Sequence, residues 1–176
     1  MGLAGSGQRV HRLTLGHNSD GEVREALVGR RANAGQPPPE DADWHPKLRR
    51  RLQQYGQGEY VDFSDVQLAF PKLTAFQESV IFATRAVGYG QTVSYGELAE
   101  LAGYPRAARA VGTVMSTNPF PILIPCHRVV ASGGKLGGYS APQGLSLKES
   151  LLAMEAEGVR NKARGPEWSG VRRIHG

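Results

Sequence analysis

The alternation of apolar and polar positions changes period along the chain. The stretch QRVHRLTLG alternates with a period of two, as a strand does, and GEVREALVGRRA fits either a strand or a helix. The polar, proline-rich run ANAGQPPPEDAD, residues 32–43, reads as a loop. DWHPKLRRRLQQYGQG then predicts a helix ended by glycine, and YVDFSDVQLAF, partly of period two, predicts a strand.

From Leu73 onward the period becomes helical. Phe76, Val80, Ala83 and Val87 recur at helical spacing, and Thr74 with Gln77 three residues later forms a capping-box signature. After GYGQT, a second helix is predicted to open on Ser94 with Glu97 as its box partner, and Gly103 stops it. Pro105 is placed for the first turn of a third helix, RAARAVGTVMS, which completes a helix-turn-helix. NPFPILIP is expected to be extended, because its three prolines forbid a regular helix. SLKESLLAMEAEG predicts a closing helix, and VRNKARGPEWSGVRRIHG has no strong period. The expected architecture is α+β. A small N-terminal α/β domain with a short antiparallel sheet spans 1–70. A mainly helical domain carrying the helix-turn-helix spans 71–158, and a basic tail spans 159–176.

Charge and composition narrow the classes. The chain has 176 residues, 40% of them hydrophobic, enough for one ordinary domain or two small ones. The start, MGLAGSGQRV, lacks the apolar region of a signal peptide, and no run is long enough to span a membrane, so a soluble cytoplasmic protein is expected. Residues 1–70 carry nine basic and nine acidic side chains, and residues 71–176 carry twelve and seven. The net charge of +5 therefore lies wholly in the second half, which suits either a polyanionic partner or a solvated basic face.

The chain has one cysteine, Cys126, in NPFPILIPCHRVVASGG. One thiol permits no internal disulfide and makes a structural zinc site implausible; His11, His17, His45 and His175 show no ligand spacing. Cys126 reads either as a small buried hydrophobe or as a reactive thiol. His127 beside it is a suitable base, but neighbours on an extended segment point apart, so contact needs a bridging water or a sharp turn. The helix RAARAVG presents Ala107, Ala110 and Gly112 beside Arg106 and Arg109. Small side chains allow close approach to a surface, and few long polar ones are present to read bases in the major groove. A thiol near such a helix suits chemistry on a base that is first drawn out of the duplex.

Together, NPFPILIPCHRVV, YGELAELAGYPRAARAVG and GGYS resemble the O6-alkylguanine-DNA alkyltransferases, from about Leu73 to Gly158, with a weaker echo in LRRRLQQYGQGEYVDF. The resemblance implies minor-groove binding to duplex DNA, flipping of the alkylated guanine, and irreversible single-turnover transfer of the alkyl group to Cys126. It implies that His127 activates the thiol through water, and that Glu155 orients the histidine. Tyr95 would serve N3 of the leaving guanine, and Asn118 would brace the turn before the active-site strand. Met115, Val129, Tyr139 and Ser140 match pocket positions, as Tyr95 does. Arg109 matches the arginine that fills the vacated stack, and Arg106, Ala107 and Ser132 match DNA contacts. No metal, organic cofactor or membrane is implied, and a monomer is expected. The chemistry asks the site to raise the thiolate fraction.

Arg128 is expected in a buried ion pair, Lys148 as a solvated helix charge, and Trp44 and Trp168 as packing residues. GGYSAPQGLSLKE is about two residues longer than the usual form, and Gly138 stands where some relatives carry asparagine. Both departures bear on pocket width. The alternatives are a sensor of alkylated DNA that does no repair, a helix-turn-helix regulator switched by Cys126, and a cysteine hydrolase.

Overall fold

The computed structural model describes residues 1–28 and 43–164. The proline-rich run up to residue 42, Trp168, His175 and the last twelve residues lie outside the described part. Strands β1 (Gly2–Ser6) and β2 (Arg9–Thr14) form an antiparallel hairpin pairing Leu3 with Leu13, with a bulge between Ala4 and Gly5. The ring of Trp44 packs against Gly5, which has no side chain to block it. Helix α1 (Asp20–Val28) resolves the strand-or-helix ambiguity of that stretch.

Helix α2 (Pro46–Gly56) starts as its sequence predicts, with Pro46 in the first turn. His45 caps it by accepting the Leu48 amide at 3.3 Å, so this histidine serves the helix. The expected strand YVDFSDVQLAF shrinks to β3 (Gln67–Leu68), parallel to β2, so the three-stranded sheet is mixed. Only two residues pair because the preceding chain spends its polar groups locally. Asp62 accepts the Ser64 amide at 2.8 Å and the Ser64 hydroxyl at 2.9 Å.

Helix α3 (Ala75–Arg85) and helix α4 (Tyr95–Leu101), which follows β4 (Val93–Ser94), both open on the expected capping boxes. Thr74 Oγ1 accepts the Gln77 amide and Ser94 Oγ accepts the Glu97 amide, each at 3.2 Å. Helix α5 (Ala108–Ser116) completes the helix-turn-helix but starts later than expected. Pro105 and Arg106 lie in the turn, where Arg106 takes a left-handed φ of 71° that a helix cannot use. β4 pairs in parallel with β5 (Val129–Val130). Helix α6 (Gly144–Arg164) runs without interruption past Gly158, so the first part of the aperiodic tail is helical. No described helix is long and apolar enough to cross a membrane.

NPFPILIP is a tight turn, which corrects the expectation of an extended segment. Ile122 has φ 72°, and the Ile124 amide donates to Phe120 O at 2.8 Å. Prolines 119, 121 and 125 prevent a helix but leave a turn open between them. Asn118 clamps it from both ends, accepting the Phe120 amide at 2.9 Å and donating to Ile124 O at 2.9 Å.

Two cores meet at this turn. One joins Val10, Leu48, Leu52 and Tyr55 to Phe120, Ile124 and Leu151. The other joins Val80, Leu98, Val111 and Met115 to Cys126 and Val129. The chain passes from the first to the second between Ile124 and Cys126, and Tyr139 packs against both.

A glycine in α6 tests the packing. A Cβ on Gly158 would collide with the Gly58 carbonyl oxygen and the Tyr89 hydroxyl. Alanine is favoured by about 1 kcal/mol inside a helix, yet overpacking against backbone costs about 1–3 kcal/mol. Gly158→Ala is expected to lower stability, read as a reduced midpoint in urea unfolding.

Candidate active site beside the helix-turn-helix

Residues 126–128 form a 3-10 turn, the sharp bend that lets Cys126, His127 and Arg128 serve one site. All three are buried, Cys126 at 6% exposure and His127 at none. Asn118 Nδ2 lies 3.1 Å from Cys126 Sγ, so the group that clamps the preceding turn also touches the sulfur.

His127 is held through Nε2. That nitrogen lies 2.9 Å from Glu155 Oε1 and 3.2 Å from the Tyr55 hydroxyl, which donates its own proton to Glu155 Oε1 at 2.6 Å. With the tyrosine proton already given to the carboxylate, its oxygen can only accept. The network therefore assigns the imidazole proton to Nε2. Nδ1 is buried and has no hydrogen-bond partner among the described residues, which makes it the basic nitrogen of the ring.

Glu155 gathers the site. Arg128 Nε and Nη2 donate to it at 3.0 and 2.9 Å, and the Gly90 amide donates to Oε2 at 3.0 Å. Burial opposes its ionisation, but the hydrogen bonds from His127 and Arg128 and the charge of Arg128 win and hold its pKa at about 2. Arg128 makes the expected buried ion pair and spends another donor on Val87 O at 2.7 Å.

The resting electrostatics differ from the expected thiolate. Burial pushes the Cys126 thiol up, against the smaller pulls of Asn118 and Lys148. Burial likewise pushes His127 down, against the attraction of Glu155. Both neighbours are therefore neutral at rest, because desolvation penalises either charge here.

A cavity of about 210 Å³ opens on the sulfur, walled by Tyr95, Gly112, Met115, Gly138, Tyr139 and Ser140. Four of the five expected pocket residues line it. Val129 does not; it is fully buried in the second core. The Tyr139 hydroxyl is buried without a hydrogen-bond partner among the described residues, and burial, then the nearby Cys126, push its pKa up. Tyr95 is half-buried, its pKa raised by burial and then by Cys126. Gly137, at φ 68°, lies against the Tyr95 ring, where a Cβ would be 3.0 Å from Cε2. Gly138 lines the cavity, and a side chain there would meet nothing within 4 Å. Arg106 and Arg109 are exposed on the helix-turn-helix, with Ala107 half-buried between them, and Ser132 is exposed in a second 3-10 turn, Ser132–Gly134.

Two site residues escaped the sequence reading. Lys148 is fully buried, correcting the solvated charge expected of it, and its Nζ donates to Val129 O at 2.6 Å and to Gly138 O at 3.3 Å. Tyr55 comes from α2, far along the chain from His127. Both leave a signal. Lys148, Leu151 and Glu155 share the inward face of α6, and Leu48, Leu52 and Tyr55 that of α2. Polar groups on an inward face require buried partners. Among the described residues no cluster of His, Cys, Asp or Glu could hold a metal.

A solitary nucleophile opening on a helix-turn-helix defines a group-transfer protein built on a DNA-binding scaffold. Residues 75–157 match the family described as 6-O-methylguanine DNA methyltransferase, DNA binding domain. The methylated-DNA–protein-cysteine methyltransferase of Methanosarcina acetivorans is 45% identical over 116 residues, covering 66% of this chain and 72% of that one. The chain also superposes on Mycobacterium tuberculosis OGT in complex with DNA, with a TM-score of 0.71 and 35% identity, covering 89% of this chain and 86% of that one. For O6-methylguanine-DNA methyltransferase from Pyrococcus kodakaraensis the TM-score is 0.62 at 28% identity, covering 85% and 88%. The chain belongs to the methylated-DNA–protein-cysteine methyltransferase family.

The Glu155 network carries a pH signature. A carboxyl held at about 2 when folded, against 4.5 as its ordinary value, stabilises the fold above pH 4.5. That contribution is lost as pH falls through 4.5 towards 2. Glu155→Gln leaves Arg128 without its counter-charge and is expected to cost about 3–5 kcal/mol at pH 7. Its stability should then fall less than the wild type's between pH 4.5 and 2, measured by denaturant unfolding across that range.

Proposed function

We propose that this chain repairs DNA by direct reversal, taking the alkyl group from O6-alkylguanine onto Cys126 in a single irreversible turnover. The observation that carries the reading is the cavity with the sulfur on one wall and Tyr95, Gly112 and Met115 of the helix-turn-helix on another. A base leaving a duplex held by α5 has only this short distance to travel.

Helix α5 approaches the minor groove, where Ala107, Ala110 and Gly112 keep it close, and Arg106 and Ser132 contact the DNA beside it. Arg109 takes the place of the extruded guanine, and its guanidinium stacks on the neighbouring bases. In the cavity, Sγ attacks the alkyl carbon, forming an S–C bond as the C–O6 bond breaks. The thiol proton passes through water to Nδ1 of His127, and the positive charge that forms there faces Glu155. The electron pair of the broken bond leaves with the guanine, whose N3 takes the proton of Tyr95. The logic is that of a hydrolytic triad without the hydrolysis. The thioether is stable, so each chain acts once. Every reacting group lies on one chain, which fits a monomer. A sensor that did no repair would have no use for the thiol.

Incubation with a duplex containing O6-methylguanine is expected to add one methyl group to the intact mass, and Cys126→Ser is expected to add none. Arg109→Ala should slow transfer from duplex DNA by roughly tenfold or more, since unstacking a base costs a few kcal/mol. Its rate with the free-base analogue should hold, because a free base needs no flipping. Equal losses on both would remove Arg109 from the flipping step.

A further inference from the structure

Cys126 borders a second cavity, of about 350 Å³, on the side facing the N-terminal hairpin. Ser116, Cys126, Tyr139 and Ser140 line both cavities, so the two flank the same sulfur. The guanine pocket is walled by the helix-turn-helix, whereas the second cavity is walled by β2, the end of α1 and Asn118. A methyl group needs none of this space. A longer substituent on the reacting carbon must run past the sulfur, and this is the neighbouring room.

The walls of that room specify a chemistry. They include Leu13, Leu15 and Pro119, which suit methylenes. The hydroxyls of Thr14 and Thr117 are already engaged, the first with His17 at 2.5 Å and the second with Thr113 O at 3.1 Å. Among the described residues, Arg12 is the one permanently charged side chain on the wall. Its Nη1 donates to Ala26 O at 2.9 Å, which orients the guanidinium, and it makes no other hydrogen bond to a described residue. Among the described residues no carboxylate lines this cavity; Glu22 and Glu25 line the adjoining outer crevice, which Arg12 and His17 also border.

We propose that this cavity receives the far end of long O6-substituents, and that Arg12 makes the site prefer those ending in a carboxylate. The inference rests on the alkyl-transfer reading above and adds a substrate class to it. Bonds made and broken are unchanged: S–C forms, C–O6 breaks, and the carboxylate stays on the transferred chain as a passenger. A planar guanidinium with free donors can pair a carboxylate through two parallel hydrogen bonds, and a neutral amide of the same shape cannot match that.

The test compares single-turnover transfer from duplexes carrying O6-methyl-, O6-(4-carboxybutyl)- and O6-(4-carbamoylbutyl)guanine at pH 7. The wild type is expected to transfer the carboxylate chain roughly three- to tenfold faster than the amide, the range for a half-exposed charge-assisted contact. Arg12→Lys, which keeps the charge but not the planar fork, should keep part of that ratio, and Arg12→Gln should bring it to one. In the wild type the ratio should also fall as salt rises, which reads the contact without any substitution. A wild-type ratio of one, a ratio indifferent to salt, or a ratio that survives Arg12→Gln would overturn the assignment. Loss of methyl transfer by the wild type would instead sink the repair reading beneath it.

Discussion

The site depends on one buried carboxylate. Glu155 stands on α6 and receives hydrogen bonds from Tyr55 on α2, from the Gly90 amide ahead of β4, and from His127 and Arg128 in the 3-10 turn. Three segments distant in sequence therefore converge on two oxygens of a fourth. An ionised group taken out of water is expensive, and Arg128 offsets that cost with two donors and an opposite charge. The arrangement is thus conditional: each partner is tolerable in the interior only because the others are present. A charge so saturated is a poor spare acceptor but a rigid anchor, and it fixes the ring of His127 by one nitrogen while leaving the other bare.

The same burial explains why the sulfur is quiet at rest. Desolvation keeps Cys126 as a thiol and His127 as a neutral imidazole, so neither charge exists until a proton moves from one to the other. The chain has a single thiol and no means within itself to restore it. A thiolate standing permanently in water would meet oxidants as well as substrate. A neutral thiol 6% exposed, with Asn118 and Lys148 nearby to favour the anion once it forms, confines reactivity to the moment the cavity is filled.

Much of this was legible from the residues alone. Both capping boxes, the inward stripe of α3 and the helix-turn-helix follow from local rules, because a cap or a period is written within a few consecutive positions. The contact of Glu155 with His127 was legible only through the resemblance. Nothing in the periodicity says that Glu155 faces the turn 28 positions earlier. Three features were misread for physical reasons. Prolines forbid a helix, and extension was inferred where a turn was equally allowed; the side chain of Asn118 selects the turn. Lysine is ordinarily solvated, but Lys148 satisfies its ammonium with two backbone carbonyls and can stay buried. The strand expected around β3 lost its pairing to the local hydrogen bonds of Asp62.

The sulfur belongs to the second core but lies at its edge, where the first core begins, and this gives the N-terminal hairpin and α2 more to do than support. A nucleophile sealed in the middle of that core would be unreachable, and one on the surface would lack the desolvation that keeps it neutral. At the seam it can be buried and still border open space. The turn that carries the chain across the seam is held by Asn118, which also touches Sγ. Any group added to the sulfur must therefore press on the residue that maintains the turn, or find room elsewhere. The helix-turn-helix fills one side once a base has entered. Among the described residues the other open side of the sulfur faces β2, so residues of the hairpin, far in sequence from the thiol, share in bounding the room left for what the reacting carbon carries.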